Sequence, residues 1–153
     1  MIFQKIQKNK LKKVVSVFIY YNNQLLLQLR DKKASITHPG LWGVISGEFL
    51  DCNENSLDAI KREIKEEISL TNLKNLRFVD IFIERKNENI INHIFTCIIK
   101  NNKNIKLNEG IEYSFFTKRE FFRGFKYSKK LKKNCEVVKN QIMRKFYFRT
   151  SSF

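Results

Sequence analysis

Residues Ser56–Leu70 constrain the fold more than any other stretch, because their spacing predicts a helix with one apolar face. At about 100° per residue, a stripe of aliphatic side chains falls within roughly 80° of arc. It consists of Leu57, Ile60, Ile64 and Ile68. A stripe of this kind is buried when a helix packs on another layer of structure. The rest of the chain must therefore supply a sheet or further helices for this one to cover.

A second face of the same helix carries Glu63, Glu66 and Glu67, which span roughly 100° beside the apolar stripe. Carboxylates this close repel one another and destabilise an isolated helix. Such a cluster is expected where a hard divalent cation neutralises it, and Mg²⁺ prefers oxygen ligands. Arg62 lies four residues before Glu66 and can pair with it. The alternative interpretation is an ordinary solvated acidic face.

The flanking segments predict a mixture of strands and helices. Two runs rich in β-branched and aromatic residues, Lys13–Tyr21 and Gln24–Arg30, are separated by Asn22-Asn23 alone, which predicts a β-hairpin. Further strands are predicted at Trp42–Ser46, Leu76–Arg85, Ile91–Lys100 and Glu112–Thr117. A C-terminal helix is predicted from about Ser128 to Phe146, with an apolar stripe of Leu131, Cys135, Val138, Ile142 and Phe146. This order predicts the α+β class, as an α/β/α sandwich around a mixed β-sheet.

Length and composition predict one domain over residues 1–153, with a basic N-terminal segment at 1–12 and a basic C-terminal helix and tail at 126–153. No apolar run approaches the roughly 18 residues of a membrane span, and the N-terminus lacks the apolar core of a signal peptide. The cysteines Cys52, Cys97 and Cys135 are widely spaced without a CxxC pair, which argues against a disulfide framework and a zinc site. Free thiols in a reducing cytoplasm are expected.

The formal net charge of +15 raises the question of a nucleic-acid partner. The charge is uneven, because residues 118–153 hold twelve basic and two acidic side chains, whereas residues 31–70 hold five basic and eight acidic ones. A bias in amino-acid composition is an alternative explanation for the high net charge. Lys, Asn and Ile make up 56 of the 153 residues, as in an AT-rich coding sequence, and Lys outnumbers Arg 22 to 8. A solvated basic surface is favoured, and nucleic-acid binding is the alternative.

The acidic helix belongs to a longer pattern that begins at Gly47. Glu54-x7-Arg62-Glu63-Ile64-x-Glu66-Glu67, followed by Leu70, resembles the Nudix box, Gly-x5-Glu-x7-Arg-Glu-U-x-Glu-Glu-x-Gly-U, where U is a bulky aliphatic residue. Two positions depart from the box. Six residues instead of five separate Gly47 from Glu54, and Ser69 stands where the box has its second Gly. A Ser in left-handed backbone at this helix end would cost about 1 kcal/mol.

The resemblance extends over roughly residues 13–125. Leu41–Gly47 is similar to the strand that enters the box in many members, and Arg30 stands where relatives often contact substrate phosphate. Asn108-Glu109-Gly110 resembles the segment that supplies a further glutamate in several relatives. The resemblance implies the Nudix fold and a hydrolase that cleaves phosphoanhydride bonds with Mg²⁺ or Mn²⁺.

Carried over by position, the resemblance implies a role for each acidic residue. Glu63, Glu66 and Glu67 would be metal ligands, the Gly47 carbonyl a further ligand, and Glu54 a contact through water. Arg62 would orient the carboxylates as their ion-pair partner. The general base varies within the family and is Glu63 or Glu109, with Glu112 as the fallback for Glu109.

Several other residues have two interpretations. Arg30, Trp42 and His93 are candidate substrate contacts, although Trp42 is expected mainly in the core. His93 alternates with Ile91 and Phe95 in a predicted strand, so its face lines either the cleft or the core. His38 is expected at the mouth of the pocket and not as a base. Cys52 lies in the box loop, but no His neighbours it in the sequence, and no nucleophilic role is expected.

The favoured function is a pyrophosphohydrolase acting on a nucleotide-like small molecule: a normal or oxidised nucleoside triphosphate, an ADP-ribose-like compound or a nucleotide sugar. One alternative is an enzyme that acts on the 5′ end of RNA, as a decapping-type pyrophosphohydrolase. Another is a non-catalytic binding module, whose box should have lost carboxylates. Membership of a fold family does not select a substrate, and the sequence does not indicate an oligomeric state.

Overall fold

A computed structural model describes residues 11–84, 89–138 and 140–150 of the chain. Its elements are β1 (Lys12–Tyr21), β2 (Gln24–Leu29), β3 (Trp42–Gly43), β4 (Ile45–Glu48), α1 (Ser56–Ile68), β5 (Arg77–Glu84), β6 (Ile90–Ile98), β7 (Glu112–Phe116), α2 (Lys118–Arg123), β8 (Phe125–Ser128), β9 (Lys133–Glu136) and α3 (Gln141–Thr150). The basic segment 1–12, apart from Leu11 and Lys12, lies outside the described residues, as does most of the turn predicted near Asn87–Asn89.

Strand β1 is the centre of a mixed sheet that has seven strands within the described residues. The order along its main path is β3-β2-β1-β6-β5, with β4 also paired to β1 and β7 to β2. β1 runs antiparallel to β2 and β4 but parallel to β6, so that Val15 lies opposite both Gly47 and His93. The combination of parallel and antiparallel pairs confirms the predicted mixed sheet.

The hairpin predicted across Asn22-Asn23 is confirmed, because Tyr21 pairs directly with Gln24. Asn22 and Asn23 have φ angles of 48° and 59°. Positive φ at both central residues gives the turn that matches the twist of paired strands. Asn tolerates this backbone better than other side-chain-bearing residues do, which suits a chain with only five glycines.

Helices cover both faces of the sheet, because side chains alternate along each strand. One core lies under α1 and contains Val15 and Ile64. The other lies under α2 and α3 and contains Phe18, Phe121 and Phe146. The two cores confirm an α+β fold of the sandwich type.

Helix α1 begins and ends at defined caps. The Asn55 side-chain oxygen accepts a hydrogen bond from the backbone N–H of Asp58 at 2.9 Å, which satisfies a free donor of the first turn. At the other end Ser69 has a φ of 59°, the left-handed backbone expected for this position. The predicted apolar stripe is wrong at its first residue, because Leu57 is 42% exposed while Ala59 is buried. The buried face of the first turn is therefore rotated toward Ala59.

The C-terminal helix predicted from Ser128 is wrong in its first half. Residues Phe125–Ser128 and Lys133–Glu136 pair as an antiparallel hairpin, and α3 begins only at Gln141. The turn between these strands and the start of β9 carry Lys129, Lys130, Lys132 and Lys133. In a helix, these lysines would be neighbours at three- and four-residue spacing and would repel one another.

Helix α2 has no counterpart among the predicted elements. The Thr117 side chain accepts from the backbone N–H of Glu120 while the Glu120 carboxylate accepts from the Thr117 N–H, which is a capping box. Gly124 ends the helix with a φ of 86°. Its carbonyl accepts from the backbone N–H of Val137 at 2.8 Å, so the end of α2 also anchors the hairpin β8–β9.

The described helices include none long and apolar enough to cross a bilayer. All three cysteines are free thiols, with Cys52 exposed and Cys97 and Cys135 buried. Burial raises the pKa of Cys97 to about 11 and also raises the pKa of Cys135. Cys52 is therefore the one cysteine that is exposed to solvent.

We expect Cys52 alone to react quickly with a chromogenic disulfide reagent at about pH 8, because the thiolate is the reactive form and needs access. Cys97 and Cys135 should react only after denaturant is added. The Cys52→Ser variant is the matched control and should lose the fast phase. A fast phase that persists in this variant would show that the buried thiols are accessible.

Candidate active site

The guanidinium of Arg62 holds the acidic cluster together. Its Nε and Nη2 donate to the two carboxylate oxygens of Glu54 at 2.8 and 3.2 Å. Its Nη1 donates to Glu63 Oε1 at 2.6 Å and reaches Glu66 Oε2 at 3.3 Å. The predicted pair with Glu66 is therefore present but is the longest of these contacts. The planar guanidinium donates two parallel hydrogen bonds to the Glu54 carboxylate, which the single ammonium of Lys cannot do.

Arg62 also ties helix α1 to the end of strand β4. Its Nη2 donates to the backbone carbonyl of Glu48 at 2.9 Å. Directly before it, Gly47 lies against Glu63: a Cβ added to Gly47 would fall 2.0 Å from the carboxyl carbon of Glu63. Any side chain at position 47 would therefore displace the Glu63 carboxylate, and only Gly allows this contact.

The box loop absorbs its extra residue at positions 50–53, where every side chain is exposed. The Asp51 carboxylate accepts from the backbone N–H groups of Asn53 and Glu54 at 2.7 and 3.1 Å, which turns the chain back toward the helix. The Glu54 carboxylate then accepts from the Leu50 N–H at 2.7 Å. The hydrogen bond from Arg62 lowers the pKa of Glu54. The loop thus bulges outward while Glu54 stays beside Glu63.

Glu67 is the most buried carboxylate of the cluster, with 6% of its surface exposed. Burial, followed by repulsion from Glu63 and Glu109, raises the pKa of Glu67 to about 8, and the charge of Arg30 opposes this rise. Burial also raises the pKa of Glu63, against the hydrogen bond from Arg62. The site therefore carries more negative charge than its arginines neutralise.

A loop docked on the end of α1 brings Glu109 to the cluster. The Asn108 backbone N–H donates to the Glu67 carbonyl at 2.8 Å, and its side-chain amide donates to Ser69 Oγ at 2.7 Å. The Gln28 side chain holds the Glu109 carbonyl at 2.5 Å. The charge of Glu109 contributes to the raised pKa of both Glu63 and Glu67. Ser69, a departure from the box, therefore supplies a hydroxyl that orders this loop.

The fit of a divalent cation depends on donor type and charge. Glu63, Glu66, Glu67 and Glu109 supply carboxylate oxygens, which Mg²⁺ and Mn²⁺ prefer. Among the described residues, no three Asp, Glu, His or Cys side chains converge on a single point at metal-binding distance. Arg62 explains part of this lack of convergence, because its guanidinium forms ion pairs with the carboxylates of Glu63 and Glu66. The donor set and its excess negative charge fit a divalent cation.

A cavity of about 290 Å³ opens beside Gly47, on the sheet face that α3 covers. Its walls include Ser16, Arg30, His38, Ser46 and Asn92. Arg30 donates through Nε to the Thr37 carbonyl at 2.7 Å, and its charge also acts on Glu67. Arg30 is thus shared between the cavity and the acidic cluster. His38 lies at the cavity wall and is exposed, as expected for a residue at the pocket mouth.

Trp42 and His93 are not among the residues that line this cavity. Trp42 is fully buried, and its ring contacts Phe116 with 5.2 Å between centroids, so it cannot stack on a ligand. His93 follows Asn92 in β6 and therefore points to the opposite face, where it packs on Phe49 at 5.3 Å. Burial lowers the pKa of His93. Trp42 is thus part of the core, as mainly expected, whereas a substrate contact of His93 stays a prediction.

The structure also separates Glu109 from its fallback. Glu112 is directed toward the hairpin β8–β9, where its Oε2 accepts from Ser128 Oγ at 2.9 Å and from the Lys130 backbone N–H at 3.0 Å. Of these two glutamates, Glu109 is the one whose charge contributes to the raised pKa of Glu63 and Glu67. Glu109 is therefore the better candidate of the two.

Sequence reasoning missed two residues at this site, Glu48 and Asn92. The Glu48 carboxylate pairs with Lys12 at 2.6 Å beside the cavity. Asn92 donates to Ser16 Oγ at 3.0 Å, and its buried Oδ1 has no hydrogen-bond partner among the described residues. The available signal was the presence of Ser16 and Asn92 within two strands that are mostly apolar.

A family model described as NUDIX domain matches residues 10–135. The MutT protein from Methanosarcina mazei Go1 has a TM-score of 0.67 at 19% identity, covering 93% of this chain and 94% of that chain. A MutT/nudix family protein from Enterococcus faecalis has a TM-score of 0.60 at 19% identity, but this chain covers only 44% of its length, with 70% of this chain aligned. The NUDIX domain of Shewanella oneidensis NrtR, complexed with ADP ribose, has a TM-score of 0.57 at 15% identity, covering 74% of this chain and 75% of that chain. No curated protein sequence matches the chain.

At these identities the solved structures establish the fold alone. The family model adds the sequence pattern itself, because residues 10–135 include the box loop, helix α1 and the Glu109 loop. The geometry around Arg62 is compatible with this pattern despite the extra loop residue. The chain belongs to the NUDIX domain family.

Proposed function

We propose that the protein is a Mg²⁺- or Mn²⁺-dependent pyrophosphohydrolase that cleaves a phosphoanhydride bond in a nucleoside di- or triphosphate or in a nucleoside-diphosphate-linked compound. The observation that carries this proposal is the complete carboxylate cluster around Arg62, joined by Arg30 to a polar cavity. Burial raises the pKa of Glu67 to about 8, so its charged form is stabilised only by a nearby cation. A non-catalytic binding module should have lost box carboxylates, and this chain retains Glu54, Glu63, Glu66 and Glu67.

Glu63, Glu66 and Glu67 would hold the cation, together with the backbone carbonyl of Gly47. When bound, the cation would neutralise phosphate oxygens that gain charge in the transition state and make the attacking water easier to ionise. Glu54 would act at one remove, through a water molecule. Arg62 is a positioning residue in this scheme, because its Nε, Nη1 and Nη2 all donate to protein oxygens.

We assign the general base to Glu109 in preference to Glu63. The Glu63 carboxylate accepts a hydrogen bond from Arg62 Nη1 at 2.6 Å, and Gly47 packs against the same carboxylate. The Glu109 side chain is exposed and makes no hydrogen bond or ion pair with the other described residues. It can accept a proton from water as the water oxygen attacks phosphorus and the bond to the leaving phosphate breaks. Arg30 would hold a phosphate oxygen of the substrate.

The cavity supports a nucleotide-like substrate. Polar groups of Ser16 and Asn92 lie among apolar side chains of Val14, Ile142 and Met143, a combination suited to a base with hydrogen-bonding edges. The ADP ribose held by the Shewanella oneidensis domain supports a nucleotide-linked diphosphate. We place the reaction in the cytoplasm, in keeping with the free thiols.

The function is tested by a panel of substrates incubated with Mg²⁺ or Mn²⁺, with products identified by mass. The panel should contain normal and oxidised nucleoside triphosphates, ADP-ribose, nucleotide sugars and a 5′-triphosphorylated RNA. We expect cleavage between phosphates of at least one free nucleotide, abolished by a chelator and restored by adding back the metal. Activity on the RNA alone would replace the free-nucleotide substrate with the RNA 5′ end. Cleavage outside the phosphoanhydride would refute the proposal.

The metal-ligand assignment predicts large kinetic losses on the acidic face of α1. Glu66→Gln and Glu67→Gln should each lower kcat by roughly 10²–10⁴-fold, because each removes ligand charge while keeping size. Lys61→Gln is the matched control on an exposed position of the same helix and should stay near wild type. Unchanged turnover of both Glu variants at saturating Mg²⁺ would rule out the assignment.

The assignment of Glu109 as the general base predicts that replacing it impairs catalysis but not metal binding. Glu109→Gln should lower kcat by roughly 10²–10⁴-fold but keep most of the rise in Tm that Mg²⁺ produces in the wild type. Glu63→Gln should lose both, because it removes a ligand. Glu112→Gln is the control, since its carboxylate serves the hairpin β8–β9. A Glu109→Gln variant with near-normal kcat would return the role to Glu63.

A further inference from the structure

The hairpin β8–β9 exposes two aromatic rings on one face. Phe125 is 40% exposed and Tyr127 is 55% exposed, and their two-residue spacing places both side chains on the same side of β8. The intervening Lys126 and the following Ser128 point the other way and are half-buried and buried. Their cross-strand partners on this face, Glu136 and Asn134, are exposed as well, so this face of the hairpin is open to solvent.

These rings form one side of a groove of about 670 Å³, which we call the hairpin groove. Its other side comes from β7 and α2 and includes Tyr113 and Arg123. Lys129 and Lys130 line it at the hairpin turn. The groove therefore combines aromatic surfaces with a basic rim, and it is distinct from the cavity beside Gly47.

The carboxylates of the hairpin groove are already engaged. Glu112 accepts from Ser128 and the Lys130 backbone, while Glu120 is held by the α2 capping box and pairs with Lys126 at 3.7 Å. Within the described residues, Lys129 and Lys130 have no ion-pair partner. The exposed charge of the groove is thus positive.

The cationic character extends through the whole hairpin region. Residues 118–138 hold eight basic and two acidic side chains. Arg123 lies over the Phe125 ring, with its guanidinium carbon 5.5 Å from the ring centre. On the β9 side, Lys32 approaches Lys133 closely enough for that ammonium to lower the pKa of Lys32. Like charges gathered in this way favour a polyanionic partner.

We propose that the hairpin groove binds a single-stranded nucleic acid, with bases stacked on Phe125 and Tyr127 and phosphates held by Arg123, Lys129 and Lys130. Exposed aromatic faces accept any unpaired base, and flanking cations follow the backbone. A symmetric contact between the hairpin grooves of two copies is disfavoured, because two surfaces of the same positive charge repel. This binding site goes beyond the proposed hydrolysis and does not depend on it.

Binding is measured by fluorescence anisotropy with labelled single-stranded RNA and DNA of about 12 nucleotides, at 50 and 200 mM salt. We expect the wild type to bind both more weakly at the higher salt. The Phe125→Ala/Tyr127→Ala variant should bind at least tenfold more weakly, since stacking on an aromatic ring contributes about 1–3 kcal/mol per base. The Phe125→Leu/Tyr127→Leu variant should show a similar loss while keeping the apolar bulk, which protects the test against misfolding of the alanine variant.

The cations are tested separately. Lys129→Gln/Lys130→Gln should reduce the salt slope by about 0.7 for each phosphate that the variant no longer neutralises. The control for the charge is Lys100→Gln/Lys103→Gln, which removes the same charge from exposed positions after β6. The control for the aromatic rings is Phe78→Ala, which removes a 53% exposed ring elsewhere. Both controls should bind like the wild type. Hydrolysis of a free nucleotide should stay within about threefold in the groove variants, because the substituted residues belong neither to the cavity beside Gly47 nor to the carboxylate cluster.

Three results would overturn the proposal. The first is no measurable binding by the wild type at 50 mM salt. The second is equal binding by the wild type and the Phe125→Leu/Tyr127→Leu variant. The third is a preference for a blunt duplex of the same length, or for vesicles of anionic phospholipid, over the single strands, since neither presents unpaired bases to the rings.

Discussion

The planar donors of Arg62 act on three parts of the chain at once, and the candidate site depends on that contact. They grip Glu54 from the box loop, Glu63 from α1 and the Glu48 carbonyl at the end of β4. Loop, helix and strand are thereby fixed relative to one another by one side chain that is charged at any physiological pH. The same contact draws Glu63 and Glu66 toward the guanidinium. The carboxylates proposed as metal ligands thus also contact the Arg62 guanidinium.

Alternation along the strands divides the chemistry between the two faces of the sheet. The acidic helix packs on one face, whereas the cavity opens on the other. Gly47 is the position where the faces meet, because it lies against Glu63 and also lines the cavity. Arg30 connects them electrostatically. Gly47 therefore adjoins both the cavity and the carboxylate cluster.

Much of the fold was predictable because its signals are local. Asn22-Asn23 between two strand-like runs, and the spacing of carboxylates on α1, each need only a few residues of sequence. The face on which His93 lies was not predictable in this way, because the side to which a strand side chain points is fixed by register with distant strands. The helix predicted from Ser128 failed for another reason. Its apolar spacing suits a helix, but the repulsion among its lysines and the anchoring of the hairpin to α2 outweigh that preference.

The box loop between Gly47 and Glu54 has a consequence for recognising distant relatives of this chain. Its contour length is one residue greater than in the usual pattern, yet Asp51 and Leu50 fold the excess into a local turn, and both ends stay on Arg62 and Glu63. Each added residue in such a loop has a small entropic cost. The contacts at the two ends depend on the end-to-end distance of the loop, not on the number of residues between the ends. A search profile that lets this gap vary, while keeping the anchors strict, should recover chains that a fixed spacing discards.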